Sequence, residues 1–294
     1  MACYHPIHAY KLANGGVAWV ERSTNESLGD LRLPCGQCIG CRLERSRYWA
    51  ARCLHESQMH AKNSWVTLTY DEEHLPEGGT LQYSDVQAFH HRLRKALGPF
   101  RFFLCGEYGE QLGRPHYHAC YFGLMPDDLV PWQKRPFGQT YTSPSLIRLW
   151  GKGNVVVAAL SPRTAAYTAR YTLKKITGKP ANDHYQTCTQ DGVIVHRVPE
   201  FARMSNRPGI GATWFAKYGK SDLAYDYTVM DGVRSGTPDY YDKLLARSDP
   251  ELLETRKAER TRRAAKHAAN NTEARLAVRE TVVTARTQTL KRTL

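Results

Sequence analysis

From residue 64 onward the spacing of apolar positions alternates between two and three-to-four residues, and each change marks a new element. SWVTLTY at 64–70 is rich in β-branched and aromatic residues and predicts a strand, which DEEHLPEGG ends near Tyr70. Val86, Phe89, Leu93 and Leu97 then recur at helical spacing up to Gly98, with Ser84 and Gln87 in the positions of a capping box. RFFLCGE at 101–107 and HYHACYFG at 116–123 are strand-like, and the glycines and proline of the intervening YGEQLGRP suit a hairpin loop. A short helix over 144–150 and a strand over 153–159 follow. Ser161 as N-cap and Pro162 at the first helical position then open a helix containing YTARYTLK at 167–174. Strand, helix, strand, strand, helix, strand is the split βαβ order. The expected fold class is therefore α+β, a ferredoxin-like antiparallel sheet with helices on one face.

The flanks follow other patterns. Residues 42–62 predict a basic helix that packs through Leu43, Trp49, Cys53 and Leu54, directly after a cysteine-rich turn. Residues 177–212 carry many Gly, Pro and polar residues around one strand-like run, GVIVHRV, and read as a loop-rich insertion. From Glu251 to Leu294 there is no aromatic residue, glycine or proline, and eleven Lys or Arg against five Glu leave a charge of +6. That segment reads as a weakly amphipathic helix or a basic tail, which either clamps DNA or solvates the C-terminus. The expected organisation is a Cys-rich segment with the basic helix packed on the core (1–62), the core with its insertion (63–220), and a C-terminal basic helical extension (221–294).

At 294 residues the chain can bury a substantial core, and its net charge of +13 creates a field attractive to polyanions, nucleic acid foremost. No run approaches the roughly eighteen apolar residues of a membrane helix, and the N-terminus lacks the pattern of a secretory signal. Eight cysteines in such a chain predict reduced thiols, some of them metal-binding, in a reducing cytoplasm. GxxxxGK[ST] is missing, so no P-loop helicase is expected.

Strand alternation points His116 and His118, with Cys120 and Phe122, to one face and Tyr117, Ala119 and Tyr121 to the other. If Glu107 faces His116 across the hairpin, their Cβ atoms lie about 4.5–5.5 Å apart. The carboxylate and both imidazoles can then converge on one divalent ion. A mixed N/O set with open positions suits Mg²⁺ or Mn²⁺, although zinc would bind the same ligands. A bare His-x-His also occurs as two ordinary surface histidines.

Tyr167 and Tyr171 stand one helical turn apart, with Cβ atoms about 5–6 Å from one another, and Lys174 follows on the same side. Two nucleophiles could reach one phosphate there, or the pair could be half of a buried aromatic stripe. A phenol of ordinary pKa, about 10, needs cations to favour phenolate, and Lys174, Lys175 and Arg170 are candidates. With a metal beside it, a tyrosine oxygen could attack a phosphodiester, giving a 5′-phosphotyrosine and a free 3′-OH.

Cys35, Cys38 and Cys41 form CxxCxxC, which can surround Zn²⁺ or an iron–sulfur cluster or can bury unliganded thiols. The fourth ligand would be Cys3, His5 or Cys53, with Cys3 preferred because a short N-terminal strand can return beside the turn. Arg42, Arg45, Arg47 and Arg52 next to Tyr48 and Trp49 suit phosphate contact and base stacking, or make a solvated basic helix with an apolar underside.

These residues carry a resemblance. GRPHYH at 113–118 is similar to the His-hydrophobic-His motif of the HUH endonucleases that initiate rolling-circle replication, VTLTY at 66–70 to their first strand motif, and YTARYTLK to the two-tyrosine motif of microvirus initiators. PCGQCIGCRLERSRYWAARCLHE, LTYDEEHLP and MSNRPGIGATWFAKY resemble the gokushovirus branch, and together the segments span most of residues 34–218. The resemblance implies Glu107, His116 and His118 as metal ligands and Tyr167 and Tyr171 as nucleophiles. Single-tyrosine relatives place the nucleophile in YxxK, here Tyr171 with Lys174, so either tyrosine could cut first. It further implies a nickase and strand transferase acting on single-stranded DNA at a replication origin in a host bacterial cytoplasm, with a host helicase and polymerase as partners. A plasmid relaxase or transposase would share the site. A zinc-containing nucleic-acid-binding protein without catalysis is the reading from a different class.

Overall fold

Three strands open the chain, β1 (Ile7–Leu12), β2 (Val17–Ala18) and β3 (Ser27–Leu33), paired antiparallel in the order β2-β1-β3. Then come α1 (Ile39–Ser57), β4 (Asn63–Thr69), α2 (Tyr83–Leu97), β5 (Arg101–Tyr108), β6 (Pro115–Phe122), β7 (Val130–Arg135), β8 (Gly138–Thr142), α3 (Pro144–Trp150), β9 (Val155–Ala159) and α4 (Pro162–Tyr171). After these lie α5 (Pro180–His184), β10 (Gln186–Cys188), β11 (Ile194–His196), β12 (Phe201–Met204), α6 (Ala212–Asp222), β13 (Tyr227–Met230), β14 (Val233–Gly236), α7 (Asp239–Ser248), α8 (Pro250–Ala265) and α9 (Glu273–Thr289). This computed structural model describes residues 3–14, 16–20, 27–109, 112–171, 180–189 and 191–289, and of Tyr171 the backbone alone. The chain forms two units, one of residues up to Arg45 with those from Ser248 onward, the other Ser46–Arg247. No helix among the described residues is long and apolar enough to cross a membrane.

The larger unit is built on a seven-stranded sheet in the order β12-β5-β6-β4-β9-β8-β7, antiparallel at every pairing. Its centre, β5-β6-β4-β9, is the expected split βαβ arrangement, and the fold is α+β with a large antiparallel sheet. β12 beyond β5 and the β7–β8 hairpin beyond β9 widen it. GVIVHRV supplies not a core strand but one arm of the β10–β11 hairpin, where Val193 and Ile194 stay exposed.

Helices lie on both faces, which corrects the expectation of a single helical layer. α2 and α3 cover one face, where Val86, Phe89 and Leu93 meet Leu68, Leu104, Tyr117, Tyr121 and Trp150. The other face carries Trp65, Phe103, Cys120 and Phe122, too much apolar surface to leave wet. It is closed by Ala50 and Cys53 of α1 and by Ala165, Tyr167 and Ala169 of α4.

Local signals explain most boundaries. α1 begins at Ile39 and stops at Ser57, short of the expected 42–62, because Asn63 Nδ2 donates to the carbonyls of Ser57 (3.0 Å) and His60 (3.1 Å) and turns the chain into β4. The expected Ser84 capping box does not form. Gln82 is the N-cap of α2; its N–H donates to the Tyr117 hydroxyl (2.8 Å), which donates back to the Gln82 carbonyl (2.9 Å). At α4 the sequence signal holds: Ser161 Oγ accepts from Thr164 N–H (3.2 Å) and Thr164 Oγ1 from Ser161 N–H (2.8 Å). Gly153 (φ 134°) lets the turn before β9 run against β4, since a Cβ there would meet the Asp71 nitrogen at 2.5 Å. In the smaller unit the basic C-terminal segment is two helices, α8, capped by Asp249 on Leu252 N–H at 3.1 Å, and α9.

Candidate metal and tyrosine site

The β5–β6 hairpin pairs Glu107 with His116 and Cys105 with His118, the register that strand alternation suggested. Glu107 and His118 are buried and His116 half-buried. Both imidazole Nε2 atoms converge on one carboxylate oxygen, His116 at 2.8 Å and His118 at 2.9 Å from Glu107 Oε1. One ligand atom from each of the three residues lies within 4.8 Å of the others, so this group could hold a metal ion. Burial raises the Glu107 carboxyl, but hydrogen bonds from His116 and His118 and their charge outweigh it, and its pKa falls below the ordinary value.

The outer nitrogens fix how the rings point. His116 Nδ1 lies 3.1 Å from the Arg114 carbonyl, which can only accept, so Nδ1 carries the hydrogen and Nε2 is the ligand atom. Arg114 is itself held by the Tyr70 carbonyl (3.0 Å) and an ion pair with Glu72. His118 Nδ1 meets Thr67 Oγ1 at 2.8 Å, from the residue paired opposite it on β4. The Trp65 indole stacks on the His118 ring, centroids 5.1 Å apart and planes 9° from parallel.

α4 crosses this same face. Trp65 Nε1–H donates to Thr168 Oγ1 (2.8 Å), whose hydroxyl donates to the Thr164 carbonyl (3.1 Å). Beside that anchor the Tyr167 ring stands edge-on to His118 at 5.0 Å and to Trp65 at 5.9 Å. The Arg170 guanidinium lies 5.9 Å from the Tyr167 ring centre. Tyr167 is thus brought to the Glu–His–His group. Tyr171 ends α4, and Lys174 and Lys175 lie outside the described residues. Trp65, Thr67 and Thr168 were not singled out in the sequence; pairing β4 next to β6 would have put Thr67 opposite His118.

In the other unit Cys3, Cys35, Cys38 and Cys41 gather with all four Sγ atoms within 4.8 Å of one another, a second group that could hold a metal ion. Burial raises the Cys38 thiol, yet the backbone N–H groups of Tyr4 and Cys41 and the neighbouring thiols bring it down to about 6, while burial raises those of Cys3 and Cys41. The other two candidate ligands lie elsewhere. His5 pairs with Glu280 (2.7 Å), and Cys53 is buried under the large sheet.

The basic stretch of α1 only partly fits a DNA-binding helix. Arg52 donates to the Ile210 carbonyl (3.0 Å), and its guanidinium lies 4.0 Å from both the Trp49 and the Tyr240 ring centres. Trp49 stacks on Phe103 at 4.7 Å. Both side chains are committed to packing, because the helix face that carries them is the one closing the sheet. Arg45 and Arg47 are exposed and Arg42 is half-buried.

Comparison with known proteins agrees with this geometry. The family of Replication-associated protein ORF2 matches over residues 63–176, a span that includes the Glu–His–His group and both tyrosines. The chain is 33% identical over 262 residues to Replication-associated protein VP4 of Bdellovibrio phage phiMH2K, covering 85% of this chain and 79% of that one. It is 32% identical over 276 residues to Replication-associated protein ORF2 of Spiroplasma virus 4, covering 84% and 81%. To Replication-associated protein ORF4 of Chlamydia phage 1 it is 30% identical over 224 residues, 72% of this chain and 53% of that one. No solved structure matches. The chain belongs to the family of phage replication-associated proteins, of the microvirus rolling-circle initiator type.

Proposed function

We propose that the protein is an HUH-type nickase and strand transferase that starts rolling-circle replication by cutting single-stranded DNA at an origin. The observation that carries this reading is the Tyr167 ring standing 5.0 Å from His118, whose Nε2 shares the Glu107 carboxylate with His116. Glu107, His116 and His118 would hold Mg²⁺ or Mn²⁺; when bound, the ion polarises the phosphodiester and offsets charge that develops on it. Arg114 and Thr67 keep both ring Nε2 atoms turned toward the carboxylate.

Tyr167 or Tyr171 supplies the nucleophile. Its phenol gives up a proton, its oxygen bonds to phosphorus, and the bond to the 3′ oxygen breaks, leaving a 3′-OH once that oxygen is protonated. The 5′ end stays on the tyrosine, so the energy of the broken linkage is retained for rejoining without a nucleotide cofactor. The cations Arg170 and Lys174 favour phenolate, and the second tyrosine takes a second strand while the first is still held. The exposed Trp132 and Lys134 of β7 suit stacking and phosphate contact with a single strand. The reaction takes place in the host bacterial cytoplasm, with unwinding and synthesis left to a host helicase and polymerase.

The test is covalent capture. Labelled single-stranded origin DNA with Mn²⁺ gives an SDS-stable adduct that EDTA prevents. Tyr167→Phe and Tyr171→Phe each lose or alter it, and the double variant loses it. An adduct that survives the double substitution overturns the tyrosine assignment, and binding without any adduct overturns the nickase.

A further inference from the structure

We infer that Cys3, Cys35, Cys38 and Cys41 form a mononuclear tetrathiolate zinc site in the smaller unit, independent of the divalent ion held by Glu107, His116 and His118. The four Sγ atoms lie within 4.8 Å of one another, and those of Cys3 and Cys38 are 4.0 Å apart. Tetrahedral zinc with Zn–S bonds of about 2.3 Å places its sulfurs about 3.8 Å apart, so the thiols need close by only tenths of an ångström to an ångström. A cluster of bridged irons would spread its ligands further than this cage allows.

Backbone donors already surround the sulfurs as thiolates require. Cys35 N–H points at Cys3 Sγ (3.2 Å), Cys38 N–H at Cys35 Sγ (3.3 Å) and Tyr4 N–H at Cys38 Sγ (3.3 Å). Gly36 (φ 74°) gives the left-handed turn that lets Cys35 and Cys38 face each other. Cys38 accepts the first backbone bond of α1 from Arg42 N–H (3.0 Å), and Cys41 lies in the first turn, so both sit where the positive end of the helix favours negative sulfur. The Arg45 guanidinium, 3.1 Å from the Gly36 carbonyl, adds positive charge beside the turn.

Binding exchanges four thiol protons for one Zn²⁺, with no change of oxidation state. The cage also has a structural consequence. Tyr4 and Leu276 of α9 pack around the four cysteines, and Ile39 and Val283 lean on them, so the ion would tie the first residues of the chain and the last helix to the start of α1.

The experiment uses full-length protein carrying His116→Ala and His118→Ala, purified reduced, so that the other group holds no metal. Elemental analysis should find one zinc per chain, released by a thiol-blocking mercurial. Cobalt in its place should give the charge-transfer and intense visible bands of a four-sulfur tetrahedral site. Cys35→Ser should lose the zinc, whereas Cys53→Ala and Cys188→Ser should keep it. If Cys35→Ser does not fold, the cobalt spectrum of the parent decides. Folded reduced protein without metal, iron with acid-labile sulfide, a cobalt spectrum lacking sulfur charge transfer, or zinc unaffected by Cys35→Ser would each overturn the site.

Discussion

The two faces of β6 show how one strand serves two purposes. On one, Tyr117, Ala119 and Tyr121 disappear beneath α2 and α3, and their side chains bring only hydroxyls that are already bonded, Tyr117 to Gln82 and Tyr121 to His90 (2.8 Å). Burial, with nearby Arg94 adding to it, lowers the His90 pKa to about 3, so that imidazole is a neutral packing element. On the other, His116 and His118 keep a carboxylate between them and a tyrosine beside them. The same residue type is structural or chemical according to its neighbours. Burial among rings silences His90, whereas a carboxylate and one oriented nitrogen leave His116 and His118 ready to ligate.

If the faces divide labour in this way, substitutions should separate stability from chemistry. Phe89→Ala, on the packing face, should cost about 3–5 kcal/mol, seen as a lower urea midpoint, with adduct formation per folded molecule unchanged. Selective loss of the adduct at full stability would contradict the division. His118→Gln, which keeps volume on the other face, should reduce the adduct by more than the roughly 10–100-fold that loss of a group behind a ligand costs, while the urea midpoint moves little. Thr67→Val should weaken Mn²⁺ binding by roughly 10–100-fold, measured calorimetrically; unchanged affinity would mean that the hydroxyl does not orient His118.

The smallest effect concerns pH. Glu107 has a folded pKa below its ordinary 4.5, so the unfolded chain takes up the proton first. The stability it contributes is complete above 4.5 and is lost as pH falls below that toward the folded value. In metal-free protein Glu107→Gln should flatten the acid limb of the urea midpoint, and an unaltered limb would rule the carboxylate out.

Much of the centre was legible in the sequence because it is local. α3 appears at the residues the pattern gave, Ser161 caps α4, and alternation alone set His116 and His118 on one side with Glu107 opposite. What escaped depends on partners distant in the chain. The Gln82 cap is made by a tyrosine 35 residues away, β12 becomes a strand only by lying against β5, and Arg52 is drawn inside by Tyr240. The basic composition of α1 suggested nucleic acid, but composition does not say which face of a helix has to close a sheet.

The Trp65 hydrogen bond to Thr168 has a further consequence for strand exchange. It latches α4 at a buried point one residue from Tyr167, and turning the helix about its axis would strand an indole N–H and a hydroxyl away from water, about 1–3 kcal/mol for each unmet group. The tyrosine helix therefore behaves as a fixed anvil, and in passing from one tyrosine to the other it is the DNA that must travel.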